Sequence, residues 1–149
     1  MARFNVVGTS GSGKSTFSKK LSQQLGVKHV QIDQVFWGKD WYEPPDEEFF
    51  PKLENELRGE DWVLDGNYTR TAKIKWARPV TVIWLDLPFA VTLRQALTRA
   101  FWRSWTRAEL WPGTNCRESF RKSFFSSSSI LLWTLKTFGK NRQQYLKLK

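Results

Sequence analysis

Short apolar runs alternate along this chain with longer amphipathic stretches. Residues 3–7 (RFNVV) form the first apolar run and predict a strand. Phe17, Leu21 and Leu25 recur every fourth residue, which predicts a helix over 14–25 with one apolar stripe and Gly26 as its C′ stop. Residues 27–32 alternate weakly and predict a short buried strand ending at Asp33. Residues 37–46, with Pro44-Pro45, predict a loop whose Asp46 caps a helix. Phe49, Phe50, Leu53 and Leu57 carry that helix to about Arg58, and Pro51 fits only if the helix starts late. Two continuously apolar runs follow. Residues 62–64 lead into Asp65, and residues 80–85 end at Asp86, as expected for strands of a parallel sheet covered on both faces. A helix over about 89–105, a loop over 106–116 containing Pro112-Gly113, and a helical stretch over roughly 117–147 complete the chain, with Ser126–Ser129 on the surface of the last.

This order of elements is an α/β pattern, read as a single domain over 1–149. Right-handed crossovers place the strands in one parallel sheet, and ligands then bind beyond the carboxyl ends of those strands. Asp33, Asp65 and the segment after residue 7 all fall at such ends, so polar residues from three segments are expected at one crevice.

The segment after the first strand reads Gly8-Thr9-Ser10-Gly11-Ser12-Gly13-Lys14-Ser15-Thr16. It fits G-x-x-x-x-G-K-[ST], between a strand and a helix as that motif requires. Its glycines let the backbone curl so that N–H groups converge on phosphate oxygens, and the start of the next helix adds partial positive charge. Lys14 can reach the β- and γ-phosphates of a nucleoside triphosphate, and the Ser15 hydroxyl can ligate Mg²⁺. Asp65, at the end of an apolar strand, has the rigid base that a second Mg²⁺ partner needs. Asp33 could accept a proton from an attacking hydroxyl or hydrogen-bond an acceptor; capping a helix or turn is the alternative. Asp86, before Leu87-Pro88, reads as a strand-to-helix turn, and His29 as a packed or edge histidine.

Charge sharpens the picture. The net charge is +10, yet residues 1–93 carry 12 Lys/Arg and 12 Asp/Glu, so the excess lies entirely in residues 94–149. Such a patch favours clustered small-molecule phosphates or a nucleic acid. Arg99, Arg103 and Arg107 form one stripe of the helix over 89–105 and its end, whereas Arg94 falls beside the apolar Leu93/Leu97/Phe101 face. With Arg117 and Arg121 they read either as a lid over phosphates, about 94–121, or as a solvated face. Among nine Trp, Trp37 and Trp41 flank the loop after Asp33 with Tyr42, where they either stack on a base or sugar or cover the core. The lone Cys116 excludes an internal disulfide and reads as an incidental thiol. No apolar run approaches the roughly 18–20 residues of a membrane span, so a cytoplasmic protein without a membrane partner is expected.

These pieces resemble the P-loop small-molecule kinases of the adenylate kinase and shikimate kinase group. Residues 62–71 (WVLDGNYTRT) are similar to the adenylate kinase segment D-G-F-P-R-T with one residue more before Arg70. The resemblance implies that Asp65 serves Mg²⁺, that Gly66 lies at the acceptor and that Arg70 touches an acceptor phosphate. The chain is more closely similar to the bacterial DNA topology modulation proteins (FlaR-related). Their pattern runs through G-x-S-G-S-G-K-S-T, a strand ending at Asp with a nearby Trp (Asp33 and Trp37 here), W-V-x-D-G-N-Y, V-I-W-L-D-x-P and an Arg-rich helix. Relatives add a fifth strand after the last helix that helps hold adenine. None follows here, so a three-layer P-loop sheet of four strands is expected, or of five in a longer chain. Asn67-Tyr68 replaces Phe-Pro and the shikimate kinase triple glycine is absent, so the acceptor is left open. The implied activity is transfer of the γ-phosphate of ATP·Mg²⁺ to a small acceptor such as a nucleoside or nucleotide. Lys14, Asp33, Arg94, Arg99 and Arg103 carry the reaction, and Asp33, Trp37, Asp65, Gly66 and Arg70 meet the acceptor. A nucleic-acid-binding NTPase or end kinase that uses residues 94–149, and a non-catalytic nucleotide-binding regulator, stay open.

Overall fold

The computed structural model describes residues 1–107, 109–117, 136, 138, 139, 142, 143, 145 and 146. Its elements are β1 (Arg3–Gly8), α1 (Lys14–Leu25), β2 (Lys28–Gln31), α2 (Ile32–Phe36), α3 (Asp46–Glu56), β3 (Trp62–Asp65), α4 (Ala72–Lys75), β4 (Thr81–Leu85) and α5 (Phe89–Thr106), with 3₁₀ turns at Lys39–Trp41 and Thr69–Thr71. The strands form one four-stranded sheet in the order β2-β3-β1-β4. β3 runs parallel to β1, with Val6 opposite Asp65, and parallel to β2, with Gln31 opposite Asp65. A Gly-rich loop at the carboxyl end of a central strand, flanked by helices, makes this the P-loop kinase-like α/β fold expected above, with four strands among the described residues.

The chain divides into two compact units. The first joins Met1–Val7 to Lys14–Trp84. Its core is Val30, Ile32, Phe36, Phe49, Leu53, Leu57, Trp62 and Leu64. Burying each such side chain contributes about 1.5–3 kcal/mol. β3 is buried along its whole length, as its continuous apolar run predicts. β4 departs from that expectation: Thr81 and Val82 are exposed, because β4 is an edge strand.

Three local expectations change for physical reasons. The α1 bounds agree, but Phe17 and Leu25 are 38% and 43% exposed while Ser18 and Ser22 are buried. α1 packs on β3 and β2, and small side chains let its backbone approach the sheet. β2 stops at Gln31, and Asp33 enters the first turn of α2, where its carbonyl accepts the Trp37 N–H at 2.9 Å. Ile32 and Phe36, one helical turn apart on α2, both reach the core, and Asp33 between them is exposed. Pro45, not Asp46, is the N-cap of α3, and Asp46, Glu47 and Glu48 give its first turn a favourable negative charge. Pro51 is accommodated on the exposed side of α3.

Sequence reasoning missed α4 and two buried polar residues. Asn5, inside β1, donates to the carbonyls of Leu64 (3.4 Å) and Gly66 (3.1 Å) and accepts the Trp76 indole N–H at 3.2 Å. Every polar atom of that amide group therefore has a partner, as burial demands. Lys75 is 2% exposed; its Nζ donates to the Asn67 carbonyl at 3.2 Å and lies 4.8 Å from the Trp76 ring centre. Burial pulls its pKa from 10.5 down to about 8. The unfolded chain then binds more protons than the fold between those values, so stability rises with pH across that window. Below it the cost of burying the ammonium is felt in full. Lys75→Met is thus expected to raise urea-unfolding stability by about 1–2 kcal/mol at pH 7, with most of the gain gone at pH 10.

The second unit joins Gly8–Gly13 to Leu85–Lys149. α5 buries Thr92, Ala96, Ala100 and Ser104, not the Leu93/Leu97/Phe101 face read from hydropathy; Phe101 is 47% exposed. Glu109 and Arg117 bridge a loop that turns at Pro112-Gly113, with Cys116 buried inside it. Asp86 takes the turn role expected of it and accepts an ion pair from Arg142 at 3.2 Å. The helical stretch read over 117–147, with Arg121 and Ser126–Ser129, lies mostly outside the described residues. The described ones from Lys136 to Leu146 are helical.

Candidate active site: a glycine loop and a carboxylate cluster

In the second unit the loop residues Gly8, Thr9, Gly11 and Ser12 are buried, and the Ser12 N–H closes a turn onto the Thr9 carbonyl at 3.1 Å. Gly11 has φ +86°, and a Cβ there would lie 2.5 Å from the Thr92 carbonyl oxygen and 2.9 Å from the Ala96 Cβ. The buried small-residue stripe of α5 is therefore what the loop leans on. That explains why α5 spends its inward face on Thr and Ala. Arg99 Nη2 donates to Ser10 Oγ at 2.9 Å, so one arginine of the predicted lid already touches the loop. Arg103 is half-buried on the same helix. Arg94 is exposed rather than set beside a core face, because the inward face runs through Thr92 and Ala96. The Ser12 hydroxyl is buried and has no partner among the described residues.

In the first unit Lys14 and Ser15 open α1, Lys14 half-buried and Ser15 and Thr16 exposed. Asp65 ends β3 and is 7% exposed. Burial raises its pKa, and the charge of Asp33 pushes the same way. A hydrogen bond from the Ser15 hydroxyl and the charges of Lys14 and His29 oppose the rise. Lys14, Ser15, Asp33 and Asp65 thus form one electrostatic cluster. Four of the predicted residues, scattered over 52 positions of sequence, are brought within interaction range. His29 is half-buried with its pKa lowered, chiefly by burial, which agrees with a packed histidine.

Asp33 is exposed, and its Oδ1 accepts the Tyr68 hydroxyl at 2.9 Å. Burial, and then the Asp33 charge, push the Tyr68 pKa up, so the phenol stays protonated and donating. In the sequence Tyr68 stands only as part of the 62–68 motif, and no sequence signal pairs it with a residue 35 positions away. Arg70, expected on an acceptor phosphate, has its Nη1 3.0 Å from Asp46 Oδ1, with its guanidinium 4.8 Å from the Phe36 ring centre and 5.4 Å from that of Phe49. Trp37 stands edge-on to Phe36 (5.0 Å) and Trp41 (5.2 Å), half-buried against the core. Gly66 follows Asp65 and donates its N–H to the Val6 carbonyl at 3.2 Å.

The cluster suits a magnesium nucleotide. Mg²⁺ usually keeps several waters and takes one or two carboxylates together with substrate phosphates. Ser15 and Asp65, already hydrogen-bonded to each other beside Lys14, supply such a set. Among the described residues there is no group of three or more His, Cys, Asp or Glu that would hold a metal by protein ligands alone. No helix among them is long and apolar enough to cross a membrane.

No protein-family model matches the chain, and no curated protein matches it. Solved structures do. One is the crystal structure of a gluconokinase from Sinorhizobium meliloti 1021, 12% identical, covering 98% of this chain and 97% of that one, with a TM-score of 0.49.

Proposed function

We propose that this protein is a P-loop kinase that moves the γ-phosphate of ATP to the hydroxyl of a small molecule. The observation that carries the reading is the Lys14–Ser15–Asp65 cluster at the carboxyl end of β3, electrostatically coupled to Asp33. Lys14 and the loop amides from Gly8 to Gly13 hold the triphosphate. Mg²⁺ held by Ser15 and Asp65 would neutralise phosphate charge. Asp33 takes the acceptor's hydroxyl proton as the acceptor oxygen bonds to the γ-phosphorus. The bond from that phosphorus to its bridging oxygen breaks, and the electron pair leaves with ADP. Tyr68 orients the Asp33 carboxylate for that proton. Arg99, with Arg94 and Arg103 on the same helix, neutralises charge that spreads over phosphate oxygens. Within the P-loop kinases, the W-V-x-D-G-N-Y segment at 62–68 supports a place near the DNA topology modulation proteins.

The test is ADP release from ATP·Mg²⁺ with nucleosides, nucleoside monophosphates, polyols, and short DNA or RNA bearing 5′-hydroxyls. Stimulation by a small acceptor is expected. Stimulation by nucleic acid alone would move the assignment to an end kinase working through the basic residues after 93. ATP binding without ADP in any well would leave a nucleotide-binding regulator.

A further inference from the structure

The electrostatics around Asp33 bear on what kind of acceptor it meets, given the kinase reading above. Asp33 is exposed, and its carboxylate accepts the Tyr68 hydroxyl at 2.9 Å. Roughly four lone-pair directions exist on a carboxylate and Tyr68 occupies one, so Asp33 can still accept hydrogen bonds from a ligand. The cation acting on Tyr68 is Arg70, while Lys14 acts on the neighbouring Asp65. The Arg70 Nη1 is 3.0 Å from Asp46, and its Cζ is 4.8, 5.4 and 5.9 Å from the ring centres of Phe36, Phe49 and Tyr68. The guanidinium is packed among three mutually tilted aromatic rings and ion-paired through Nη1 to one carboxylate. The other charges acting on Tyr68 are Asp33 and Glu43, both negative. The Tyr68 phenol thus feels two carboxylates against one guanidinium, and that guanidinium is itself ion-paired to Asp46. Asp65 adds to the negative field at Asp33.

We propose that the acceptor presents an uncharged polyhydroxyl face, as in a nucleoside or polyol, and not a phosphate ester, because the Asp33–Tyr68 pair offers hydrogen-bond acceptance while Arg70 is already paired with Asp46. Hydroxyl donors suit a carboxylate flanked by a phenol. A phosphate dianion would sit beside like charges, which disfavours its recognition. Asp46 acts here as a specificity-determining residue: it keeps Arg70 from serving as a phosphate anchor.

The test measures binding by calorimetry, with a non-hydrolysable ATP analogue and Mg²⁺ present. The probes are matched pairs: adenosine and AMP, thymidine and dTMP, ribose and ribose 5-phosphate, glycerol and glycerol 3-phosphate. In at least one pair the uncharged member should bind at least about tenfold more tightly. Asp46→Asn, at a side chain 45% exposed, should shrink that gap severalfold by releasing Arg70 toward phosphate. Tighter binding of a phosphorylated member by the wild-type protein overturns the inference. So does failure of every uncharged member to bind, or a gap unchanged in Asp46→Asn. ATP and the tightest-binding uncharged probe, run separately, read the other question. Binding without ADP formation would leave the acceptor class standing and remove the kinase reading.

Discussion

Lys14→Ala should lower ATP-dependent phosphate transfer by at least about a thousandfold while leaving the unfolding transition within about 1 kcal/mol of wild type. One preorganised donor to developing charge contributes 10²–10³ in turnover, and Lys14 also contributes to holding the triphosphate itself. Its removal has a second consequence. The Lys14 charge helps to hold the Asp65 pKa down against burial. Without it Asp65 protonates more readily, so the residual activity should fall away at a higher pH than in wild type as the pH is lowered. The fold should tolerate the change: Lys14 is half-buried at the first residue of α1, and alanine is the best helix former. ADP release across pH, with a thermal melt of each protein, separates the two effects. Turnover that survives the substitution would sink the assignment of the loop.

Gly66→Ala is expected to be the most destabilising single change in the first unit, by about 3–5 kcal/mol from overpacking and backbone strain together. Gly66 has φ +147°, and a Cβ there would lie 2.0 Å from Ile32 Cγ2 and 2.9 Å from Ile32 Cβ. Ile32 is fully buried at the start of α2, so its branched Cβ cannot swing aside. The Gly66 carbonyl also accepts from Asn5, and its N–H donates to Val6. Displacing the backbone to relieve the clash would break both hydrogen bonds. It would also disturb Asp65 on one side and Asn67-Tyr68 on the other. Urea unfolding should show a large drop in midpoint. Ile32→Ala, which removes the clashing Cγ2, should leave the double variant less destabilised than the sum of the two single losses, whereas two unrelated defects would simply add.

The elements written in short stretches of chain were legible from the sequence alone. The glycine loop after β1, the bounds of α1 and the bounds of β3 depend on residues adjacent in sequence: a glycine pattern between strand and helix, and an apolar run ending at Asp65. Their local conformations agree with the packing, so nothing overrode them. The tertiary structure decided which faces were buried. Hydropathy put Phe17, Leu21 and Leu25 inward, and likewise Leu93, Leu97 and Phe101. The fold buries Ser18 and Ser22 in α1, and Thr92, Ala96, Ala100 and Ser104 in α5. Where backbones approach closely the available space rewards small side chains, and that constraint belongs to the neighbouring element, not to the helix's own pattern. It also decided the partners of the site. Asp33 meets Tyr68, Arg70 meets Asp46, and Asn5 ties Gly66 to β1 because parallel crossovers bring remote segments to one end of a sheet. The residue types that can do chemistry are a property of the sequence. Which of them are paired with one another, and so which charges a ligand meets, is a property of the fold.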